Sequence, residues 1–179
     1  MANKTTGWIL FIILSCIWGS SFVLMKIGVS ALSPYQVAAI RILSAGLVLL
    51  PFSYTAFKSI AAEKRSTVLL SGLLGSFFPA FLYCIAETRI SSSLAAMFNS
   101  LTPLFALIVG SLFFYLKVAW QKAAGVLIGF TGMVLLPFAS EKGIDLTDVS
   151  FSLLVLLATI CYAFNVNIVG RHLQGQSSL

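Results

Sequence analysis

Residues 8–25 read WILFIILSCIWGSSFVLM, a stretch of 18 residues without a charge. A helix needs about 20 predominantly apolar residues to cross the hydrocarbon core of a bilayer, so this stretch predicts a membrane span. Five further runs have the same character, and only the second run of the chain contains a charge, Arg41. The six predicted spans are 8–25, 33–54, 66–86, 90–116, 123–140 and 149–170.

The composition of the whole chain agrees with these spans. Of its 179 residues, 59% are hydrophobic and only 9% are charged, whereas a soluble domain carries about 25% charged residues. So few charges do not cover a water-facing surface, which argues against a soluble globular enzyme and a disordered chain. We therefore predict an all-α polytopic membrane protein with six transmembrane helices, and the lipid bilayer as its surroundings.

The placement of the basic residues predicts the orientation of these helices. With the N-terminus in the cytoplasm, the inner segments hold seven Lys and Arg residues and the outer segments hold three. Cytoplasmic loops carry an excess of such residues, so this orientation is favoured. The net charge of +6 then needs no nucleic-acid partner. We predict a multi-pass protein of the cell membrane whose N-terminus is cytoplasmic.

Three of the charged residues within or beside the spans are candidates for a function. Arg41 has small neighbours on its helix face, which favours the bundle interior, where it either contacts a solute or has a structural role. Lys26 ends the first span and either snorkels to the interface or takes part in gating. Glu87 ends the third span and, with Arg89, is interpreted as part of a solvated loop. Glu87 is also the main candidate for coupling transport to protons.

Small and polar side chains at helical spacing predict which faces meet inside the bundle, because lipid supplies no hydrophobic force between helices. Pro79 and Pro103 lie deep within spans and predict bends, which either open a cavity or are accommodated by packing. We predict a cavity lined by the first, third, fourth and sixth spans, with a contribution from the second. Its predicted solute-binding residues are Trp18, Phe22, Arg41, Tyr83, Asn99 and Pro103.

Small residues in the fifth span form a second feature. Gly125, Gly129 and Gly132 lie on a surface of the GxxxG type, which allows close approach of helices. This surface is interpreted as plain helix packing or, alternatively, as the contact face of a membrane scaffold. The three cysteines lie inside apolar runs without metal-ligand spacing, and they are interpreted as buried small hydrophobic residues.

The chemistry of enzymes is missing from the sequence. Its one histidine, His172, follows the sixth span, so no cluster of metal ligands is predicted. The chain has no phosphate-binding loop of the form GxxxxGK[ST] and no pair of carboxylates within the spans. We therefore predict no enzyme, no metal and no cofactor, and movement of a solute fits the sequence better than catalysis.

Several motifs resemble those of the EamA family of the drug/metabolite transporter superfamily. In order along the chain they are Trp18-Gly19-Ser20-Ser21-Phe22 with Lys26-Ile27-Gly28, Ser33-Pro34 before Arg41, Ser91-Ser92-Ser93 running to Thr102-Pro103, and Gln121 to Gly125 with Gly129 and Gly132. The resemblance implies a first five-helix unit at 8–138, an extracytoplasmic loop at 139–149, the first helix of a second unit at 150–170 and a cytoplasmic end at 171–179.

The resemblance also implies an architecture and a function. Members of the family usually have ten helices in two five-helix units of opposite orientation. This chain would then stop after six helices, and its partner would be the missing C-terminal unit or a second copy of the chain. The function implied is secondary transport of a small metabolite, amino acid or drug-like solute by alternating access, in the direction of export or exchange. The alternative is a non-transporting membrane scaffold or assembly partner.

Overall fold

The computed structural model describes residues 4–138 and 146–173, and this part of the chain is helical throughout. The long apolar runs form helices because a helix satisfies every backbone polar group within its own segment, as a bilayer requires. A short 3₁₀ turn at Ala62–Lys64 precedes α3, and a π-helical turn at Leu73–Phe77 joins α3 to α4. The helices are α1 (Lys4–Ala31), α2 (Pro34–Ser59), α3 (Arg65–Gly72), α4 (Phe78–Ala86), α5 (Ser92–Asn99), α6 (Thr102–Phe114), α7 (Trp120–Phe138) and α8 (Leu146–His172).

The prediction of an all-helical membrane protein is confirmed. Within the described ranges, five helical segments are long and apolar enough to cross a membrane. The fifth predicted span corresponds to α7, and its last two residues, 139 and 140, lie outside the described ranges. Most of the predicted loop at 139–149 lies there too, and α8 begins inside that stretch, at Leu146. The five membrane-spanning segments are Lys4–Ala31, Pro34–Ser53, Ala62–Ala86, Ser92–Phe114 and Val149–His172.

The predicted ends of the first two helices are wrong. We expected links at 26–32 and 55–65, but α1 continues to Ala31 and α2 to Ser59. Polar and charged side chains are tolerated in a helix once it leaves the hydrocarbon region, so loss of hydropathy does not end the helix. Lys26 therefore lies within α1 rather than in a loop, and this changes what its ammonium group reaches.

Both predicted proline sites interrupt a regular helix. Pro103 lies in the first turn of α6, and a turn at Ser100 and Leu101 separates this helix from α5. Pro79 lies in the first turn of α4, directly after the π-helical turn. A proline lacks the backbone donor that a continuous helix needs and is tolerated in a first turn, where that donor is unpaired anyway.

Helix α8 lies at the centre of the bundle and packs against the third and fourth spans, which comprise α3 to α6. Two asparagines fix it there. The Ser71 hydroxyl donates to Asn165 Oδ1 at 2.5 Å, and Asn167 Nδ2 donates to the carbonyls of Ala106 at 2.9 Å and Ala163 at 2.8 Å. The polar groups of the sixth span thus find their partners inside the bundle, as a low-dielectric interior requires.

Helices α1 and α7 lie at the edges of the bundle. Residues 4–20 of α1 are all exposed, and partial burial begins at Ser21 and Phe22. Helix α7 packs chiefly against α6. Cys84 is buried and Cys161 is partly buried, but Cys16 is exposed on the first half of α1. The expectation that all three cysteines are buried is therefore wrong for Cys16.

Candidate functional site

Tyr83 joins four helices at the centre of the candidate site. Its side chain is 3% exposed. Its ring packs edge to face against Phe22 of α1, with 5.5 Å between the ring centroids, and stacks on Tyr162 of α8, with 6.2 Å between the centroids. Its hydroxyl donates to Asn99 Oδ1 of α5 at 2.5 Å. We call these four residues the tyrosine cluster; it combines aromatic surface with one hydrogen-bonded polar pair.

The break at Pro103 places Asn99 in this cluster. Helix α5 ends at Asn99, and the Thr102 hydroxyl donates to the Asn99 backbone carbonyl at 2.7 Å. The interrupted helix leaves carbonyls without a backbone partner, and short side chains satisfy them in such breaks. The Asn99 amide is thereby held at the end of a helix, where its oxygen accepts a hydrogen bond from the Tyr83 hydroxyl.

Arg41 points from α2 towards α1 and α4. Its guanidinium donates to Ser21 Oγ at 3.2 Å, contacts the Met25 sulfur and lies 4.0 Å from the Cys84 sulfur. These partners are neutral, so the positive charge of Arg41 is not compensated by an ion pair with them. The residue also lines a cavity of about 270 Å³ between α1 and α2. The lining residues are Ser21, Leu24, Met25, Gly28, Leu32, Val37, Ile40 and Arg41.

Lys26 binds the turn between α4 and α5. Its Nζ donates to the backbone carbonyls of Glu87 at 2.6 Å and Ile90 at 2.8 Å. Beside it, the Ser92 hydroxyl donates to the Phe22 carbonyl at 3.2 Å. A cation at the C-terminal end of a helix is stabilised by the helix dipole. Lys26 and Ser92 thus tie the second half of α1 to the α4–α5 turn, an arrangement we call the lysine clamp.

Glu87 is buried directly beside this clamp. The residue is 0% exposed, and neither of its carboxylate oxygens has a hydrogen-bond partner. Its interpretation as part of a solvated loop is therefore wrong, whereas Arg89 is exposed. The turn folds back so that Ile90 packs into the core, and this carries Glu87 inward.

Burial raises the pKa of Glu87 to about 7, although the charges of Lys26 and Arg41 and the neighbouring Ser92 hydroxyl lower it. An unperturbed glutamate titrates at about 4.3. The position of Glu87 after the last residue of α4 also disfavours a negative charge, because the helix dipole is negative there. The carboxyl is therefore protonated below neutral pH and charged above it.

Not all predicted site residues meet at the tyrosine cluster. Phe22, Tyr83 and Asn99 do, whereas Arg41 contacts Ser21 and Met25 of α1 and lies 4.0 Å from the Cys84 sulfur. Trp18 is 59% exposed on the edge helix α1, one turn before Phe22. Pro103 is also exposed. Added Cβ atoms at Gly125, Gly129 and Gly132 meet no atom within 4 Å, so this surface of α7 has no packing partner within the described part of the chain.

Sequence reasoning missed Tyr162 as a site residue. The sixth span offered a signal, since Thr159, Tyr162 and Asn165 follow one another at helical spacing within an apolar run. It also missed Ser21 as a partner of Arg41. Among the described residues no group of three His, Cys, Asp or Glu side chains is placed to hold a metal ion.

Comparison with known proteins places the sequence of this chain in a family. The profile of the EamA-like transporter family matches residues 5–138. A protein of Archaeoglobus fulgidus described as an uncharacterized transporter is 29% identical over 169 residues, which cover 92% of this chain and 59% of that protein. The uncharacterized inner membrane transporter YedA of Escherichia coli (strain K12) is 29% identical over 153 residues, covering 83% of this chain and 48% of YedA.

A third relative has a more specific description. The probable amino-acid metabolite efflux pump of Escherichia coli (strain K12) is 26% identical over 176 residues, covering 95% of this chain and 55% of the pump. The chain spans about half the length of these curated relatives. No solved structure matches it. Since the family profile covers most of the chain, this protein belongs to the EamA-like transporter family.

Proposed function

We propose that this protein is a secondary transporter that exports or exchanges a small amphiphilic solute, such as an amino acid, by alternating access. Family membership and the relatives described as transporters support transport across a membrane. The relative described as an amino-acid metabolite efflux pump supports the choice of solute class. The predicted orientation, with a cytoplasmic N-terminus, remains part of the proposal.

The main support for the proposal is the tyrosine cluster, to which α1, α4, α5 and α8 each contribute one residue. Aromatic surface from Phe22 and Tyr162 suits an apolar side chain of the solute, and the Tyr83–Asn99 pair offers a hydroxyl and an amide. Ligand sites typically combine apolar walls with a few polar groups of this kind. Arg41, whose partners are neutral, supplies a cation for a carboxylate.

A second five-helix unit would complete the transporter. The exposed first half of α1 and the open glycine surface of α7 are apolar faces without a packing partner within the described residues. The relatives are about twice as long as the matched region, and inverted-repeat transporters form their sites where two repeats meet. Trp18, on the exposed part of α1, would face that unit.

The replacement Tyr83→Phe tests the site with the smallest chemical change. It keeps the ring contacts with Phe22 and Tyr162 and removes only the hydroxyl that donates a hydrogen bond to Asn99. We expect about tenfold slower exchange of solute, the effect of about 1.4 kcal/mol from one lost hydrogen bond. The measurement is counterflow in proteoliposomes, in which a mixture of radiolabelled amino acids outside exchanges with the same unlabelled mixture inside.

Tyr35→Phe is the matched control, because Tyr35 is 62% exposed on α2 and lies outside the tyrosine cluster. Its counterflow should equal that of the native protein. If Tyr83→Phe and Asn99→Ala both exchanged amino acids at the native rate, the tyrosine cluster would not be the solute site.

The alternative proposal is a membrane scaffold that assembles through the glycine surface of α7. The open space beside Gly125, Gly129 and Gly132 favours it, since small residues allow another helix to approach closely. The same counterflow assay separates the two proposals, because a scaffold exchanges no solute in any variant.

A further inference from the structure

Among the described residues, the Glu87 carboxyl is the one buried side-chain group whose oxygen atoms have no hydrogen-bond partner. It is fully buried, both of its oxygens lack a partner, and it lies beside two basic side chains without pairing with either. Buried polar groups in proteins are almost always hydrogen-bonded, and an unpaired buried charge is more costly still. A second state in which the Glu87 carboxyl is hydrogen-bonded would therefore be lower in this cost.

Charged or polar groups from α1, α2 and α5 lie near the Glu87 carboxyl. Lys26 of α1 and Arg41 of α2 are the cations, and the Ser92 hydroxyl of α5 is the neutral donor. Lys26 is engaged with two backbone carbonyls and Ser92 with a third. Tyr83 and Cys84 face Glu87 from its own helix, and Tyr162 of α8 lies behind Tyr83.

The proton site and the solute site share two helices at the same spacing. Phe22 lies one turn before Lys26 on α1, and Tyr83 of α4 lies one turn before Glu87, the residue that follows this helix. Residues four apart are neighbours on one helix face. A movement of α1 against α4 at the lysine clamp therefore changes the Phe22–Tyr83 contact, which is 5.5 Å between ring centroids here.

We infer that Glu87 binds the proton that the transporter exchanges for its solute, and that loss of this proton draws Lys26 away from the α4–α5 turn. This inference rests on the proposed transport function. With Glu87 protonated, Lys26 holds the carbonyls of Glu87 and Ile90 and the clamp is closed. When Glu87 releases its proton to water, the carboxylate accepts a hydrogen bond from the Lys26 ammonium, the clamp loosens, and α1 separates from the tyrosine cluster.

The replacement Glu87→Gln, measured in proteoliposomes with the radiolabelled amino-acid mixture, tests this inference. When the vesicle interior is more acidic by about one pH unit, the proton concentration differs about tenfold across the membrane. If one proton leaves for each amino acid that enters, this gradient sustains at most about a tenfold excess of amino acids inside over outside. We expect the native protein to approach this value. Glu87→Gln should accumulate no more than it does without a gradient, while its counterflow remains measurable. Glu63→Gln, which removes an exposed carboxylate on the 3₁₀ turn, should behave as the native protein does.

The results distinguish the inference from the proposed function. Native counterflow without any gradient-driven accumulation, or accumulation that survives in Glu87→Gln, would overturn the inference and leave transport standing. Absence of counterflow in the native protein would overturn both. Infrared spectroscopy of the native protein adds a test that requires no variant. A carboxylic-acid carbonyl band that disappears near pH 7 supports the inference, and the absence of such a band contradicts it.

Discussion

Replacing Lys26 by methionine is expected to lower the free energy of unfolding by about 2–3 kcal/mol, because hydrogen bonds to a charged group are the stronger class. Methionine keeps the apolar length of the side chain but leaves the carbonyls of Glu87 and Ile90 without the ammonium that they accept. Of the described side-chain hydrogen bonds that join α1 to this region, only that of Ser92 then remains. Denaturation of the purified protein in lipid–detergent micelles measures the change.

Lys122→Met is the matched control for this replacement. Lys122 is exposed near the start of α7, so its loss should change the free energy of unfolding by no more than about 0.5 kcal/mol. Equal stability of Lys26→Met and the native protein would show that Lys26 snorkels to the interface and that the clamp does not hold α1.

Replacing Gly110 by valine is expected to destabilise the protein by about 3 kcal/mol, through overpacking and a displaced asparagine. A Cβ atom at this buried position would lie 2.7 Å from Asn167 Oδ1 and 3.0 Å from Leu116 Cδ1. The Asn167 amide would have to give up its hydrogen bond to the Ala106 carbonyl, and this bond joins α8 to α6. Thermal unfolding in the same micelles measures this loss of packing.

Gly129→Val provides the comparison, since a Cβ at Gly129 meets no atom within 4 Å. Valine there should leave the unfolding temperature close to the native value. If both valine variants unfolded at the native temperature, α8 would not be packed against α6 as described, and its central position in the bundle would be wrong.

Hydropathy predicted the helical architecture because a bilayer imposes one requirement on every span, an apolar run of sufficient length. The breaks at Pro79 and Pro103 were predictable for a similarly local reason, the missing backbone donor of proline. The ends of α1 and α2 were not predictable in this way. A helix that leaves the hydrocarbon region continues for as long as its backbone hydrogen bonds do, and hydropathy does not record this.

The candidate site depends on contacts that periodicity alone does not provide. Phe22 and Lys26 are four residues apart, as are Tyr83 and Glu87, and this spacing gives each pair a common helix face. It did not say that these two faces meet, because that depends on how α1 crosses the third span. The burial of Glu87 follows from the fold of a short turn, whereas its charged neighbour Arg89 suggested solvent instead. Tyr162 joined the cluster only through the central position of α8.

Cysteine protection shows whether a solute occupies the tyrosine cluster. In a variant whose native cysteines are replaced by alanine, Asn99→Cys places a thiol in the cluster, and Ser93→Cys places one on the exposed face of the same helix. With the amino-acid mixture at about ten times the dissociation constant measured for Asn99→Cys itself, maleimide labelling of this variant should slow about tenfold. Labelling of Ser93→Cys should not change. Equal labelling of Asn99→Cys with and without amino acids would contradict a solute site at Tyr83.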